Sequence, residues 1–434
     1  MTGQDLVGTV LELTVGPVAH GGHCVARADG RVVFVRHALP GERVRARVTE
    51  GGSTSRFLRA DAVAVLEAAA DRVDPPCPFA GPGRCGGCDW QHVSLAGQRR
   101  LKAEVVAQAM SRFAGVDRRV EVEPVPGDEA GLGWRTRVHY AVDADGRVGL
   151  RAHRSHEVVP LDACRIAHPE VTATGVTRVR WPGTLGLDVV GTPGGERGLV
   201  WHPGPGARPT GLPALPGAPL AGALMVTGAT RTRLAGRGWV RQEAAGRSWR
   251  VSLDSFWQVH PGAADTLVDA VRRGLRPRPG ERVADLYAGV GLFAGALAAD
   301  VGPTGHVLAV EADARAVADA RRNLHDVPAV ALREGRVDRV DLGDVDLVVL
   351  DPPRSGAGRA VVAGIARATP RAVAYVACDP VALARDVATF AGHGYQLSGL
   401  RAFDLFPMTG HVECVAVLTP VAGAGACHDQ DALS

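Results

Sequence analysis

Over roughly the first sixty residues, apolar and polar positions alternate in short runs, the two-residue period of half-buried strands. Residues 6–15 and 31–36 are rich in β-formers, 38–42 carry a Pro-Gly turn, and 44–48 interleave apolar residues with arginines. Five or so such strands predict an OB-like β-barrel over residues 1–60. Residues 61–76 read as a link to a cysteine-bearing loop, and helical spacing of apolar positions predicts a helix from about 95 to 113. Strand-like pieces broken by Gly/Pro-rich turns follow, with an irregular surface excursion, WHPGPGARPTGLPALPGAP. Residues 61–250 are therefore expected to form a central α+β domain. Beyond residue 251 the pattern changes to alternating β and α segments: ERVADLYAGVGLFAGALAA, GHVLAVEADARAVADARRNLH, VDLVVLDPP and RAVAYVACDPVALARDVATF. A Rossmann-like, mainly parallel sheet with helices on both faces is expected over 251–420, its chemistry in the loops at the strand ends. Residues 421–434 read as a flexible tail.

The chain of 434 residues is long enough for two to four domains. Its apolar stretches, such as 345–350, are far too short to cross a bilayer, and the N-terminus has no basic-then-apolar leader pattern. A cytoplasmic protein with no membrane association is expected. The formal charge is +3, a weak pointer to nucleic acid. Lys102 is the single lysine, so nearly every cation is arginine, which suits phosphates and bases but also follows from a bias toward Arg, Ala, Gly and Pro. Arg36, Arg43, Arg45, Arg47, Arg56 and Arg59 are candidates for an RNA-facing surface of the first domain.

Chemistry concentrates in the last third. Asp285 to Gly291 (DLYAGVG) follow a strand and precede an apolar helix, with Gly289 and Gly291 permitting tight turns and close approach of a ligand. Glu311 ends the next strand, where a carboxylate can accept both hydrogen bonds of a ribose. The phosphate-binding GxGxxG pattern is absent, which lowers a dinucleotide reading. Asp351 opens the DPPR loop after a third strand, and its carboxylate suits reading the edge of an extruded base. Cys378 follows the β-run AYVA, and a thiol there reacts only where its thiolate is stabilised. In FPMTGHVECVAVL, His411 and Glu413 lead into a strand, and Glu413 can serve as a base. Cys77, Cys85 and Cys88 form C-x7-C-x2-C, which Cys164 can complete to a four-thiolate site for zinc or an iron–sulfur cluster. Cys24, Cys414 and Cys427 have no such arrangement.

Two resemblances join these motifs. HGGHCVARADGRVVFVRHALPGERVRARV, with Gly21, Gly22, Phe34, Pro40, Gly41 and Glu42, resembles the TRAM domain, a small RNA-binding β-barrel. SFWQVHP, DLYAGVGLF, LDPPRSG, YVACDP and FPMTGHVE together resemble the bacterial RNA 5-methyluridine (uracil-C5) methyltransferases over nearly the whole chain. That likeness implies a class I fold using S-adenosyl-L-methionine (SAM), with Cys378 as nucleophile and Glu413 as proton-abstracting base. It places Gln258, Tyr287, Glu311 and Asp351 at cofactor- or substrate-binding positions. His260 stands where the family commonly has asparagine, and Met408 where histidine is frequent, which bears on local contacts and target choice. CGGC followed by Gln-His, with a remote cysteine, resembles the subgroup carrying a [4Fe–4S] cluster, although the first gap is longer here. Cys77, Cys85, Cys88 and Cys164 match its ligands. The resemblance implies a structured RNA substrate, 23S rRNA foremost with tRNA as the alternative, and no obligate protein partner. Retention of Cys378 and Glu413 argues against a non-catalytic RNA-binding homologue.

Overall fold

The computed structural model describes residues 5–207 and 211–421. The expected tail beyond Val421, with Cys427, lies outside them, as do three residues of the proline-rich excursion. Among the described residues no helix is long and apolar enough to cross a membrane.

Strands β1 (Val10–Thr14), β2 (Cys24–Ala28), β3 (Arg31–Arg36), β4 (Arg43–Glu50) and β5 (Phe57–Glu67) form one sheet in the order β1-β4-β5-β3-β2. In β4, Val44, Ala46 and Val48 point inward and Arg43, Arg45 and Arg47 outward, as a period of two requires. The expected link at 61–76 starts too early. β5 continues to Glu67 because its backbone keeps pairing with β4, out to Glu67 opposite Arg43, although its burial no longer alternates beyond Ala62. The chain then turns over the edge of this sheet. There the fully buried Glu42 carboxylate accepts the amides of Leu39 (2.8 Å) and Ala69 (3.2 Å) and pairs with Arg72 at 2.5 Å.

Helix α1 (Leu95–Ala109) starts at Ser94, whose hydroxyl accepts the Gly97 amide at 3.1 Å, and ends in a wider turn, Met110–Ala114, closed by Gly115 at φ 64°. Trp90, Leu101 and Val105 enter the core of the first sheet, so the cysteine-loop region and α1 close that sheet's underside. The central region contributes β6 (Val122–Pro124), β7 (Arg137–Val142), β8 (Val148–Arg151), β9 (Val158–Pro160), a one-turn α2 (Pro169–Thr172), β10 (Thr184–Gly191), β11 (Arg197–Pro203), β12 (Gly222–Thr227) and β13 (Thr230–Gly236). Seven of these strands make a sheet in the order β13-β12-β11-β10-β7-β8-β9, and a hairpin, β14 (Trp239–Ala244) with β15 (Arg247–Ser252), follows.

The last part alternates α3 (Ala263–Leu275), β16 (Arg282–Leu286), α4 (Leu292–Val301), β17 (His306–Glu311), α5 (Ala314–Asn323), β18 (Val330–Glu334), β19 (Leu347–Leu350), α6 (Gly358–Arg367), β20 (Ala372–Ala377), α7 (Pro380–Ala391), β21 (Tyr395–Asp404) and β22 (Glu413–Pro420). The sheet order is β18-β17-β16-β19-β20-β22-β21-β6. The first five strands are parallel, β22 is antiparallel to both neighbours, and β6 from the central region adds an eighth strand beside β21. Parallel strands covered on both faces must be apolar throughout, and β19 (LVVL) and β20 (AVAYVA) are buried at every position. Strand order reverses between β16 and β19, which opens a crevice beyond their carboxyl ends.

Candidate active site

The crevice floor is the turn after β16. Tyr287 is left-handed at φ 65°, Gly289 at 56° and Gly291 at 96°, and this reversal brings the chain into α4 with Gly291 as its N-cap. The buried Asp285 accepts the Ala294 amide on one oxygen at 2.8 Å and has no protein partner on the other. Burial pushes Asp285 up to about 7, with Asp351 and Glu311 adding to the rise. At the end of β17, one Glu311 oxygen accepts the Ala312 and Asp313 amides, both at 2.7 Å, and the other accepts Gly289 at 2.9 Å. A carboxylate has about four acceptor sites, so roughly one lone pair remains for a ligand. A Cβ built on Gly289 would meet nothing within 4 Å, so its backbone borders open space.

The expected nucleophile and base meet across one strand pair. β20 and β22 pair Ala377 with Cys414, and the same antiparallel register carried one step further sets Cys378 against Glu413. Asp351 arrives beside them because β19 runs parallel to β20, Leu350 opposite Tyr375. Glu413 is buried, and burial raises its pKa well above the usual carboxylate range, with Asp351 pushing the same way and Arg354 opposing. Burial takes Asp351 up to about 7. The Cys378 thiol is pushed up to about 11 by burial, then by Glu413 and Asp351, with Arg354 pulling down. The electropositive pocket that a ready thiolate needs is therefore reduced to one arginine. Gln258 reaches Asp351 only through a long 3.5 Å contact. His411 packs edge-on against Phe406, with ring centroids 6.0 Å apart.

Sequence reasoning missed the residues that hold this cleft. Asp386 on α7 accepts the Tyr375 hydroxyl and the Ala357 amide, both at 2.7 Å, and so pins the loop that follows Asp351. Asp379 caps α7 by accepting the Val381 and Ala382 amides at 2.9 Å. Neither contact has a local signature beyond the capping aspartate before proline.

Cys77, Cys85 and Cys88 lie in the loop after β5, and Cys164 between β9 and α2; all are free thiols. Gly87 donates its amide to the Cys85 sulfur and Gln91 its side-chain amide to the Cys88 sulfur, each at 3.4 Å. Burial raises the Cys85, Cys88 and Cys164 thiols, and negative charge on the other cysteines of the group would raise each further, so the four sulfurs share one region. Among the described residues no three of these sulfurs lie mutually within 4.8 Å. A tetrahedral zinc site, with Zn–S near ~2.3 Å, brings its sulfurs within about 4 Å of one another.

The two departures are built into this neighbourhood. Met408 is left-handed at φ 67° and donates its amide to Gln98 at 2.7 Å, and its carbonyl accepts the Asp89 and Trp90 amides at 3.0 Å. Its sulfur accepts the Gln98 side-chain amide at 3.3 Å, as no protonated histidine nitrogen could. His260 is buried, stacks on Trp134 with centroids 6.0 Å apart, and accepts the Gly262 amide at 3.2 Å.

An α/β sheet of this order, with a glycine-turn crevice and a β-rich N-terminal unit, defines a class I methyltransferase joined to an accessory domain. The TRAM domain family matches residues 4–63, the tRNA (Uracil-5-)-methyltransferase family residues 332–421, and the methyltransferase small domain family residues 263–373. An uncharacterized RNA methyltransferase of Streptomyces coelicolor is 52% identical over 96% of this chain and 94% of its own length. One from Bifidobacterium longum is 38% identical over 94% of this chain and 96% of its own. The crystal structure of Pyrococcus abyssi tRNA (uracil-54, C5)-methyltransferase with S-adenosyl-L-homocysteine has the same fold, with a TM-score of 0.71, 22% identity, and coverage of 94% of this chain and 99% of that one. The chain belongs to the uracil-5 RNA methyltransferase family and is a SAM-dependent enzyme.

Proposed function

We propose that the enzyme methylates uracil C5 in structured RNA through a covalent adduct between Cys378 and C6 of the base. The observation that carries this reading is the β20–β22 register, which faces Cys378 with Glu413 at the mouth of the crevice. Uracil C5 is a poor methyl acceptor by itself. Addition of the Cys378 sulfur to C6, with loss of the thiol proton, moves the C5–C6 π pair into an enolate and makes C5 nucleophilic. SAM supplies an electrophilic methyl group when bound. Its fit rests on the open space before Gly289, the acceptor capacity left on Glu311 and the unpartnered oxygen of Asp285. Gln258, Tyr287, Gly289, Gly291, Glu311 and Asp351 would line the space it takes. Glu413 then accepts the C5 proton, C5=C6 re-forms, and the Cys378–C6 bond breaks with its pair returning to sulfur. A raised pKa makes the Glu413 carboxylate a stronger base than an exposed one.

The N-terminal unit fits RNA through His23, Phe34 and Phe57, whose rings meet edge to face in series at 4.9 and 5.5 Å, with the Arg59 guanidinium 5.4 and 5.3 Å from the two phenylalanine rings. Arg43 is paired to Glu12 and Glu67, Arg36 lies 3.7 Å from Asp89, and Arg59 itself lies 3.3 Å from Glu50, so three of the six expected arginines have internal partners. The OB-like reading of this unit rests on its strand order, with β3 and β5 parallel.

Cys77, Cys85, Cys88 and Cys164 would hold a [4Fe–4S] cluster, with a structural or RNA-facing role, since methyl transfer needs no electron carrier. Their common region supports a shared cysteine-held group, and the likeness to the cluster-bearing subgroup favours the cluster over a single zinc ion. Anaerobic iron and sulfide analysis tests this, and zinc without inorganic sulfide would overturn it. By its likeness to the cluster-bearing subgroup, 23S rRNA in the cytoplasm is the first target. A tRNA uridine is the second, favoured by the family matched at residues 332–421 and the name of the archaeal neighbour.

The test gives cluster-intact protein labelled SAM with unmodified 23S rRNA fragments and tRNAs, then maps the product by mass spectrometry. Label at a uracil C5 is expected, and none with Cys378→Ala. Label on ribose or on another base rejects the reading.

A further inference from the structure

Away from the crevice, three adjacent strands of the central sheet bring two imidazoles and a carboxylate together. The β7–β10 register sets His139 directly opposite Asp188. The β10–β11 register sets His202 opposite Gly186, two residues from Asp188 and therefore on the same face. His139 Nδ1 lies 2.8 Å from one Asp188 oxygen and His202 Nε2 2.6 Å from the other, with ring centroids 6.0 Å apart. Among the described residues this is the one group of three or more His, Cys, Asp or Glu whose donor atoms all lie within 4.8 Å of one another.

The strands hold the donors firmly. Val138, Tyr140, Leu187, Val189, Leu199 and Trp201 are buried on the opposite face, and Val190 and Val200 pack under Val240 and Leu253 on the same face. Gly186 leaves room for the imidazole, since a Cβ there would sit 3.0 Å from His139 Cε1. The side chains are 58%, 24% and 30% exposed for His139, Asp188 and His202, so an ion can enter and water can complete its shell.

We infer that His139, Asp188 and His202 bind a divalent transition-metal ion of the zinc class. Two imidazole nitrogens and a carboxylate form a borderline donor set, preferred by Zn2+ and Co2+ over Mg2+ or Ca2+. The ion takes the place of the contacts now made between Asp188 and the two rings, and one position stays open to water or an anionic oxygen. It also cross-links β7, β10 and β11. β7 and the residues just before it hold the segment that carries Gln258, through Arg137 to the Leu253 carbonyl and Thr136 to that of Val259.

The test uses the full-length protein, titrated with Co2+ and with Zn2+ alone. An imidazole–carboxylate site gives Co2+ d–d bands without the thiolate charge-transfer absorption that binding at the four cysteines produces. Wild type is expected to bind one equivalent with this signature and to rise in Tm with Zn2+. His202→Ala and the near-isosteric Asp188→Asn should weaken binding by at least ~100-fold, above the 10–100-fold that outer partners of a metal site are worth, and lose the Tm response. Circular dichroism confirms that both variants fold. Failure of wild type to bind would leave a hydrogen-bonded triad only and overturn the site. So would undiminished binding in the two variants, or a purely thiolate-type spectrum.

Discussion

Cys378 in the free enzyme is a thiol, not a thiolate. Burial lifts its pKa to about 11, Glu413 and Asp351 add to that, and Arg354 only partly offsets them. A free thiol sits near ~8.5, so the cleft disfavours premature ionisation rather than promoting it. The nucleophile is the deprotonated form, so its fraction grows with pH until the pKa is passed. Glu413, raised above the carboxylate range, also gains its active form as pH rises, so the two effects share a sign. kcat/KM, which reports groups of the free enzyme, is expected to climb about tenfold per pH unit between 7 and 9 from Cys378 alone, and more steeply wherever Glu413 titrates as well. A profile flat across that interval would mean that the thiolate already exists before RNA arrives.

At the scale of elements, the one lysine shows what composition conceals. Lys102 has the look of a residue left over from an arginine-biased code, yet it is fully buried on α1. Its ammonium meets Asp404 at the end of β21 at 2.5 Å and the Phe406 carbonyl at 2.9 Å, tying α1 to the catalytic sheet. Lys102→Ala leaves the Asp404 carboxylate buried without its cation and should cost about 3–5 kcal/mol, read by denaturant unfolding. A loss under 1 kcal/mol would show that water replaces the ammonium. The same contrast separates what the sequence disclosed from what it withheld. The strand-end positions of Cys378, Glu413, Asp351 and Glu311 were legible because the period and loop residues around each are local. The helix at 95–113 was legible for the same reason, and α1 with its terminal turn spans 95–114. Lys102–Asp404, Gln98–Met408 and Tyr375–Asp386 were not, because such pairs are made by packing across other elements, two of them across about three hundred residues of chain. β5 outran its expected end because pairing with β4, not local composition, decides where a strand stops.

At the scale of the molecule, the three parts of the chain meet at one point beside the cleft. Gly22 of the N-terminal unit accepts the Trp90 indole N–H at 2.8 Å, Asp89 accepts the Gly410 amide at 3.1 Å, and His20 pairs with Asp379, next to Cys378, at 3.1 Å. The His20–Asp379 hydrogen bond raises the His20 pKa against the opposing effect of burial, so acidification favours this contact. The closest approach is backbone to backbone. A Cβ on Gly410 would lie 2.7 Å from Gly22 Cα and 3.0 Å from its nitrogen. Neither atom belongs to a flexible side chain, so Gly410→Ala must displace the N-terminal unit or the segment that leads into Glu413. Overpacking of this kind costs about 1–3 kcal/mol, or roughly tenfold or more in the fraction of correctly docked molecules. The Gly289–Glu311 end of the crevice lies on other strands and should be untouched. Gly410→Ala is therefore expected to lower kcat/KM for RNA about tenfold while SAM affinity, measured by calorimetry, stays near wild type. Equal losses for RNA and SAM would indicate general unfolding, and unchanged RNA kinetics would show that the N-terminal unit and the catalytic sheet work without being held in register.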